Sequence, residues 1–222
     1  LRDGEIVGKP DKEEATVNKL ASLMVGREVE RVERDINENE DQSEVIMRIQ
    51  NLAVDMTGEE VKGVNLEIKK GEILGIGGLA GQGKIGIANG IMGLHESSGK
   101  VYFNGKQLTL NDPNEALQSG LAFVSEDRRG VGLLLDESIE LNIAITAMQV
   151  QGQFLKSISN IPFIHLEDKK VIREHALEMI EELDIRCTGP DQLIKRLSGG
   201  NQQKVCIARA ITLEPEILFV SE

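Results

Sequence analysis

The chain has 222 residues and a formal net charge of −12, with 28% charged and only 3% aromatic residues. That length buries a substantial core, as one domain or as one large and one small domain. The acidic balance argues against a nucleic-acid partner, which needs clustered Lys and Arg; no apolar run approaches the ~20 residues that span a bilayer; and the polar start Leu1-Arg-Asp-Gly is not a secretory signal.

Cys187 and Cys206 suggest no disulfide framework, and His95, His165 and His175 have no ligand spacing, so no zinc site is expected. The composition reads as that of a soluble, reduced, cytoplasmic chain.

The chain opens in what reads as the tail of a preceding domain. Leu1 to Gly8 suggests a short strand with a turn at Asp3-Gly4. Thr16 to Gly26 predicts a short helix with Leu20, Leu23 and Met24 on one face and Gly26 as its stop. Arg27 to Glu44 is dense in charge and poor in apolar residues; it reads as a solvated linker, with a charged surface helix as the alternative. The domain plan is therefore a tail over 1–26, a linker over 27–44 and a globular domain over 45–222.

Val45 to Val54 predicts a strand, and Val64, Leu66 and Ile68 alternate with polar residues as in a half-buried strand. Lys70-Gly71-Glu72 reads as a turn, Ile73 to Ile76 as a short buried strand, and Ile85 onward as a helix. Between them stands Gly78-Leu79-Ala80-Gly81-Gln82-Gly83-Lys84, which fits the P-loop pattern of Gly, four residues, Gly-Lys. A Gly-rich link from strand to helix makes a nest of N–H groups for the α- and β-phosphates, and Lys84 would reach the β- and γ-phosphates. The predicted nucleotide-binding stretch is Gly78 to Gly86, Ile85 included.

Further on, Gly99 to Leu110 predicts a hairpin, with Val101 and Phe103 facing one way and Asn104-Gly105 as the turn. Asn111 to Ser119 suits a short helix and Leu121 to Val124 a buried strand. Ser138 to Lys195 reads as mostly helical, with Ile172, Ala176, Met179, Ile180 and Leu183 marking the clearest amphipathic segment.

Leu197-Ser198-Gly199-Gly200-Asn201-Gln202-Gln203-Lys204 is the most informative stretch. Two Gly residues after a Ser open a helix whose apolar positions Val205, Ala208 and Ile211 recur at helical spacing. Backbone N–H groups approach an anion closely at such a start, and the macrodipole favours negative charge there. The bland alternative is a Ser-Gly-Gly loop capping an ordinary surface helix. Cys206 on this helix is expected to be a small buried apolar residue. Ile217 to Val220 closes the chain as a short buried strand before Ser221-Glu222, where the sequence reads as truncated.

From Val45 to Glu222 the sequence resembles the second nucleotide-binding domain of a two-domain ABC importer ATPase, of the ribose/galactose/xylose and nucleoside uptake type. Three stretches carry the resemblance. LSGGNQQK has Asn201 where Gln is usual. Phe123-Val-Ser-Glu-Asp-Arg-Arg-Gly130 resembles the group's Q-loop, with Glu126 in place of Gln. Leu1-Arg-Asp-Gly-Glu-Ile-Val and Leu23-Met-Val-Gly-Arg27 resemble the end of the first domain and the linker. The implied fold is α/β: a P-loop NTPase with a RecA-like core, an antiparallel β-subdomain, and a helical ABC subdomain over 138–196. The implied fuel is ATP with Mg²⁺. The implied partners are the N-terminal ABC domain of the same protein, transmembrane permease subunits and, indirectly, a solute-binding protein, at the inner face of the cell membrane. Leu197 to Gln202 would contact nucleotide held by the opposite domain.

The sequence departs from that pattern at the metal. Mg²⁺ is usually held by the Ser or Thr after the P-loop Lys and by the Walker-B Asp, but here the positions hold Ile85 and Ser221. Glu222, the implied catalytic residue, would orient or deprotonate the attacking water, or is a merely structural carboxylate. Glu126 would supply a metal oxygen, contact the permease, or face solvent. No aromatic residue lies between Val45 and Gly63 to stack on adenine; Met56 or Val54 would pack there, or both are ordinary sheet residues. The leading expectation is an ATPase domain with a degenerate site of its own and an intact signature acting in trans. A non-transport ABC ATPase and a nucleotide-free interaction domain are the rivals.

Overall fold

A computed structural model describes residues 6–26, 44–158 and 161–221. The chain divides into two units, 1–42 and 43–222. In the first, α1 (Val17–Val25) begins at Thr16, whose side chain accepts from the Lys19 N–H, and ends at Gly26 in the left-handed conformation. Ile6 to Gly8 form no strand, and Leu1–Glu5 and the charged stretch 27–43 lie outside the described residues.

The second unit starts with an antiparallel sheet of order β2-β1-β3-β4, built from β1 (Val45–Val54), β2 (Val61–Lys69), β3 (Ser97–Phe103) and β4 (Lys106–Gln107). Ile49 of β1 faces Leu66 on one side and Val101 on the other. The β3–β4 turn is Asn104-Gly105, both at positive φ, as a two-residue hairpin of this twist requires. Met47, Ile49, Leu52, Val101 and Phe103 form a buried layer that packs on Ile87 and Ile91 of α2 (Lys84–Ile91). Gly90 makes that approach possible: a Cβ there would lie 2.3 Å from Val54. Alternation of apolar and polar residues thus places the P-loop helix against the sheet.

After α3 (Pro113–Gln118), capped by Asp112, comes β5 (Leu121–Val124), which pairs in parallel with β8 (Ile217–Val220). A second core joins Val124 of β5 to Ile139, Ile143 and Ala147 of α4 (Ile139–Gln151), Ala176 of α5 (Lys169–Glu182) and Val205 and Ala208 of α6 (Gly199–Ile211). Ile172 and Ala176 are buried on α5, as its amphipathic pattern predicts.

Two expectations need correction, and a third was incomplete. Ile73 to Ile76 is not a buried strand: it pairs with nothing, and Ile73 is 73% exposed. An apolar run is buried as a strand only where a sheet edge receives it. Ile73, Leu74 and Ile76 take up no such pairing, although β8 keeps one edge free, and they line a 510 Å³ cleft with α2 and β8. Ile217–Val220 is a strand, but Val220 is 60% exposed because β8 pairs along one edge only. The mostly helical 138–195 region, with α4 and α5, also holds an unforeseen insertion: β6 (Leu155–Ile158) and β7 (Ile161–Glu167) form an antiparallel pair between the two helices. Pro162 removes a helical hydrogen bond there, and the Ile-rich, aromatic run favours extended backbone.

Candidate functional site

The Gly-rich loop leads straight into α2. Gly81 and Gly83 both have positive φ, 78° and 80°, so the chain turns sharply and Gly83 caps the helix with no side chain in the way. Lys84, the first helical residue, folds its Nζ back to donate to the Gly78 carbonyl at 3.0 Å. Successive amides at a helix start, with the positive end of the dipole behind them, make an oxyanion site. Gly78 to Gln82 are exposed, while Gly83 and Gly86 are buried under the β1–β2 turn. The closeness is absolute: a Cβ on Gly86 would meet the Glu59 carbonyl oxygen at 2.3 Å, and one on Gly83 the Glu60 carbonyl oxygen at 2.6 Å.

That turn delivers a side chain the sequence did not single out. Glu59, buried at 9% exposure, accepts a hydrogen bond from the Gly81 N–H at 2.7 Å on Oε1. The Gly81 amide holds its carboxyl below the ordinary value; burial pushes the other way, and the Ile85 and Gly83 amides and the Lys84 ammonium add to the lowering. Its Oε2 is buried without a hydrogen-bond partner. No local pattern announces this contact, since 22 residues separate the pair.

Ile85 and Ser221 line the same cleft as Lys84. One offers no oxygen and the other a neutral hydroxyl, whereas Mg²⁺ demands a near-octahedral oxygen shell with at least one carboxylate from the protein. The residues at the two usual positions therefore do not fit the metal. Among the described residues no cluster of three His, Cys, Asp or Glu side chains is placed to hold one either. Val54 is buried within the sheet core and Met56 packs against it. Glu222 lies outside the described residues.

The signature stretch forms a second helix start. Ser198 occupies the cap position of α6 in extended backbone, yet caps no amide with its side chain. Its Oγ instead accepts from Asn201 Nδ2 at 2.9 Å, while Asn201 Oδ1 accepts the Arg186 N–H at 2.9 Å. The first-turn amides of α6 are thus left without a side-chain cap. A Cβ on Gly200 would meet nothing within 4 Å, so the approach is open. Leu197 and Gln202 are buried, and Gln202 Nε2 donates to the Ile194 carbonyl at 3.2 Å, which ties the helix to the turn before it. The structure thus presents Ser198 to Gly200 outward and anchors them by Leu197, Asn201 and Gln202.

Glu126 is half-buried after β5, with Ser125 Oγ at 3.5 Å from its Oε2. Asp127 caps the following π-helical turn Arg128–Gly132, accepting the Gly130 N–H at 2.8 Å. Arg128 Nη1 then donates to the Gly199 carbonyl at 2.7 Å, joining this loop to the signature. Deeper in, Arg209 of α6 donates from Nε to the Asn142 carbonyl and from Nη1 to the Gly132 carbonyl, both at 2.7 Å. Burial lowers the Arg209 pKa and raises that of the Cys206 thiol beside it, in keeping with a buried apolar role for that cysteine.

An antiparallel sheet, a P-loop helix and a helical segment leading to a Ser-Gly-Gly helix start define an ABC ATPase cassette fold. Solved structures bear this out. The dimeric post-hydrolysis ATP-binding cassette MJ0796, bound to ADP and Pi, matches 79% of this chain and 73% of its own, at 26% identity and a TM-score of 0.60. The ADP conformation of MJ1267, an ATP-binding cassette of an ABC transporter, matches 79% and 68% at 25% identity and a TM-score of 0.57. The ABC transporter family model matches residues 61–222, and the chain belongs to that family. Among curated relatives, the ribose import ATP-binding protein RbsA of Caldanaerobacter subterraneus subsp. tengcongensis is 34% identical over 223 residues, covering all of this chain and 42% of that protein. The xylose import ATP-binding protein XylG of Thermoanaerobacter pseudethanolicus is 35% identical over 228 residues, covering all of this chain and 43% of that protein. The chain thus spans less than half the length of these relatives.

Proposed function

We propose that this chain is the C-terminal nucleotide-binding domain of a two-domain importer ATPase for a sugar or nucleoside. In this reading residues 45–222 are the ABC domain, 1–26 the tail of a preceding one and 27–44 the linker. ATP binds with its phosphates on Gly78 to Gly86, while Ser198 to Gly200 complete the site built on the N-terminal domain's P-loop. Hydrolysis there drives transmembrane permease subunits at the cytoplasmic face of the membrane, which a solute-binding protein feeds. The names of the relatives, ribose and xylose import ATP-binding proteins, support the solute class.

The observation that carries this reading is an asymmetry within one chain. The signature helix start is outward, uncapped and open, whereas Ile85 and Ser221 stand at both usual metal positions. Such a domain serves its partner's site better than its own. Glu222 acts on the attacking water only if its own site is loaded, and Glu126 sits in the loop that reports to the permease.

Calorimetric titration with ATP, with and without Mg²⁺, tests it. Binding that depends on Lys84 but is little changed by Mg²⁺ is expected. Absence of any ATP binding would favour a nucleotide-free interaction domain, and strong Mg²⁺ dependence would contradict the degenerate site.

A further inference from the structure

The P-loop nest already holds an anion. Glu59 Oε1 sits 2.7 Å from the Gly81 nitrogen, where the loop of an ATPase receives a phosphate oxygen. The β1–β2 turn is seated on the start of α2 so closely that Gly83 and Gly86 have no room for a Cβ. This is a specific fit of turn on loop, and no chance excursion of a surface side chain. Lys84, meanwhile, is folded onto the Gly78 carbonyl instead of reaching forward.

We propose that Glu59 is a built-in competitor of the nucleotide, an internal carboxylate that occupies the phosphate-binding nest and must leave before the polyphosphate enters. The proposal rests on the reading of Gly78–Lys84 as a nucleotide site and adds how that site is gated. Two features make the gate reversible. Oε2 is buried and makes no hydrogen bond of full geometry, though the Gly83 and Ile85 amides stand close to the carboxylate, so the closed state satisfies it only in part. Only the Glu59 side chain has to swing out: the turn backbone stays seated on α2, and Gly78 to Gln82 beside it are exposed. A tethered carboxylate competes at a high effective concentration, but a polyphosphate brings more charge and more acceptor oxygens to the same amides.

The gate also accounts for the pairing of a complete Gly-x4-Gly-Lys loop with missing metal positions. Without Mg²⁺ to neutralise a phosphate, a nest that is electrostatically satisfied by its own carboxylate stays closed until nucleotide is abundant. Glu59→Gln keeps the shape and removes the charge; Glu59→Ala removes the competitor.

The test is ATP titration of this chain and of the Glu59→Gln, Glu59→Ala and Lys84→Ala variants, with amide exchange at Gly81 followed by NMR and folding checked by thermal melting. The proposal expects ATP to bind at least roughly tenfold tighter to both Glu59 variants, because a charge-assisted competitor is lost. It also expects the Gly81 amide to exchange faster in Glu59→Ala. Unchanged or weaker ATP binding in the Glu59 variants, while binding still depends on Lys84, would overturn the gate and leave the nucleotide site standing. No ATP binding in any variant, with Gly81 exchange released in Glu59→Ala, would overturn the nucleotide reading itself and the gate with it.

Discussion

Arg128 donates from Nη1 to the Gly199 carbonyl at 2.7 Å, tying the loop that carries Glu126 to the first residue of the signature helix. The two residues lie on separate elements, the π-helical turn after β5 and the start of α6. A shift of the Glu126 loop therefore reaches the start of the signature helix through this bond, and its far end through Arg209, which donates to the Gly132 carbonyl.

Arg128→Ala is expected to cost only about 0.5–1.5 kcal/mol of stability, since the bond is exposed and its acceptor can be hydrated. ATP turnover in the proposed two-domain protein should fall roughly ten- to a hundredfold, because the signature is no longer held in register. Denaturant unfolding and steady-state turnover check the two numbers. A large stability loss with unchanged turnover would make Arg128 a structural residue only.

Much of this was legible in the sequence, and the reasons are local. Asn104-Gly105 between alternating apolar residues specifies a hairpin, and the Gly-Lys and Ser-Gly-Gly stretches specify their helix N-termini. What was not legible depends on contacts between distant segments. Ile73 to Ile76 has the composition of a buried strand, but burial needs a receiving sheet edge, which no residue in the run encodes. Glu59 reads as one of two acidic residues in a turn, and only the seating of β1–β2 on α2 turns it into a ligand of the Gly81 amide. The β6–β7 pair lies between two helical patterns, which overshadow the extended preference of its own residues.

Gly200 and Gly86 should respond in opposite ways to the same methyl group. Gly200→Ala meets open space and removes a poor helix former, so stability should rise by up to about 1 kcal/mol. Turnover in the two-domain protein should drop steeply, because the methyl fills the approach to the α6 amides. Gly86→Ala collides with the Glu59 carbonyl oxygen and should lower the melting temperature. Melting curves and turnover for both variants check this; a Gly200→Ala protein with normal turnover would show that the open approach serves nothing.

Ile85→Ser with Ser221→Asp should restore Mg²⁺-dependent ATP binding at the P-loop, since a hydroxyl and a carboxylate would then line the cleft beside Lys84. Neither change alone should suffice, because a single added oxygen leaves the octahedral shell to loosely held water. Calorimetry with and without Mg²⁺ is the measurement, with a melting curve to verify folding. A folded double variant whose ATP affinity ignores Mg²⁺ would contradict the missing-ligand account.

The most direct test of the asymmetric domain compares Ser198→Arg with Lys84→Ala in ATP turnover by the full two-domain protein. On the proposed reading Ser198 serves the competent site in trans, so an Arg there should remove roughly a hundredfold or more of the activity by blocking the signature helix start. On the same reading Lys84 serves a degenerate site, so its loss should cost less than about tenfold on the same scale. Equal losses for the two variants, or a greater loss for Lys84→Ala, would contradict the account.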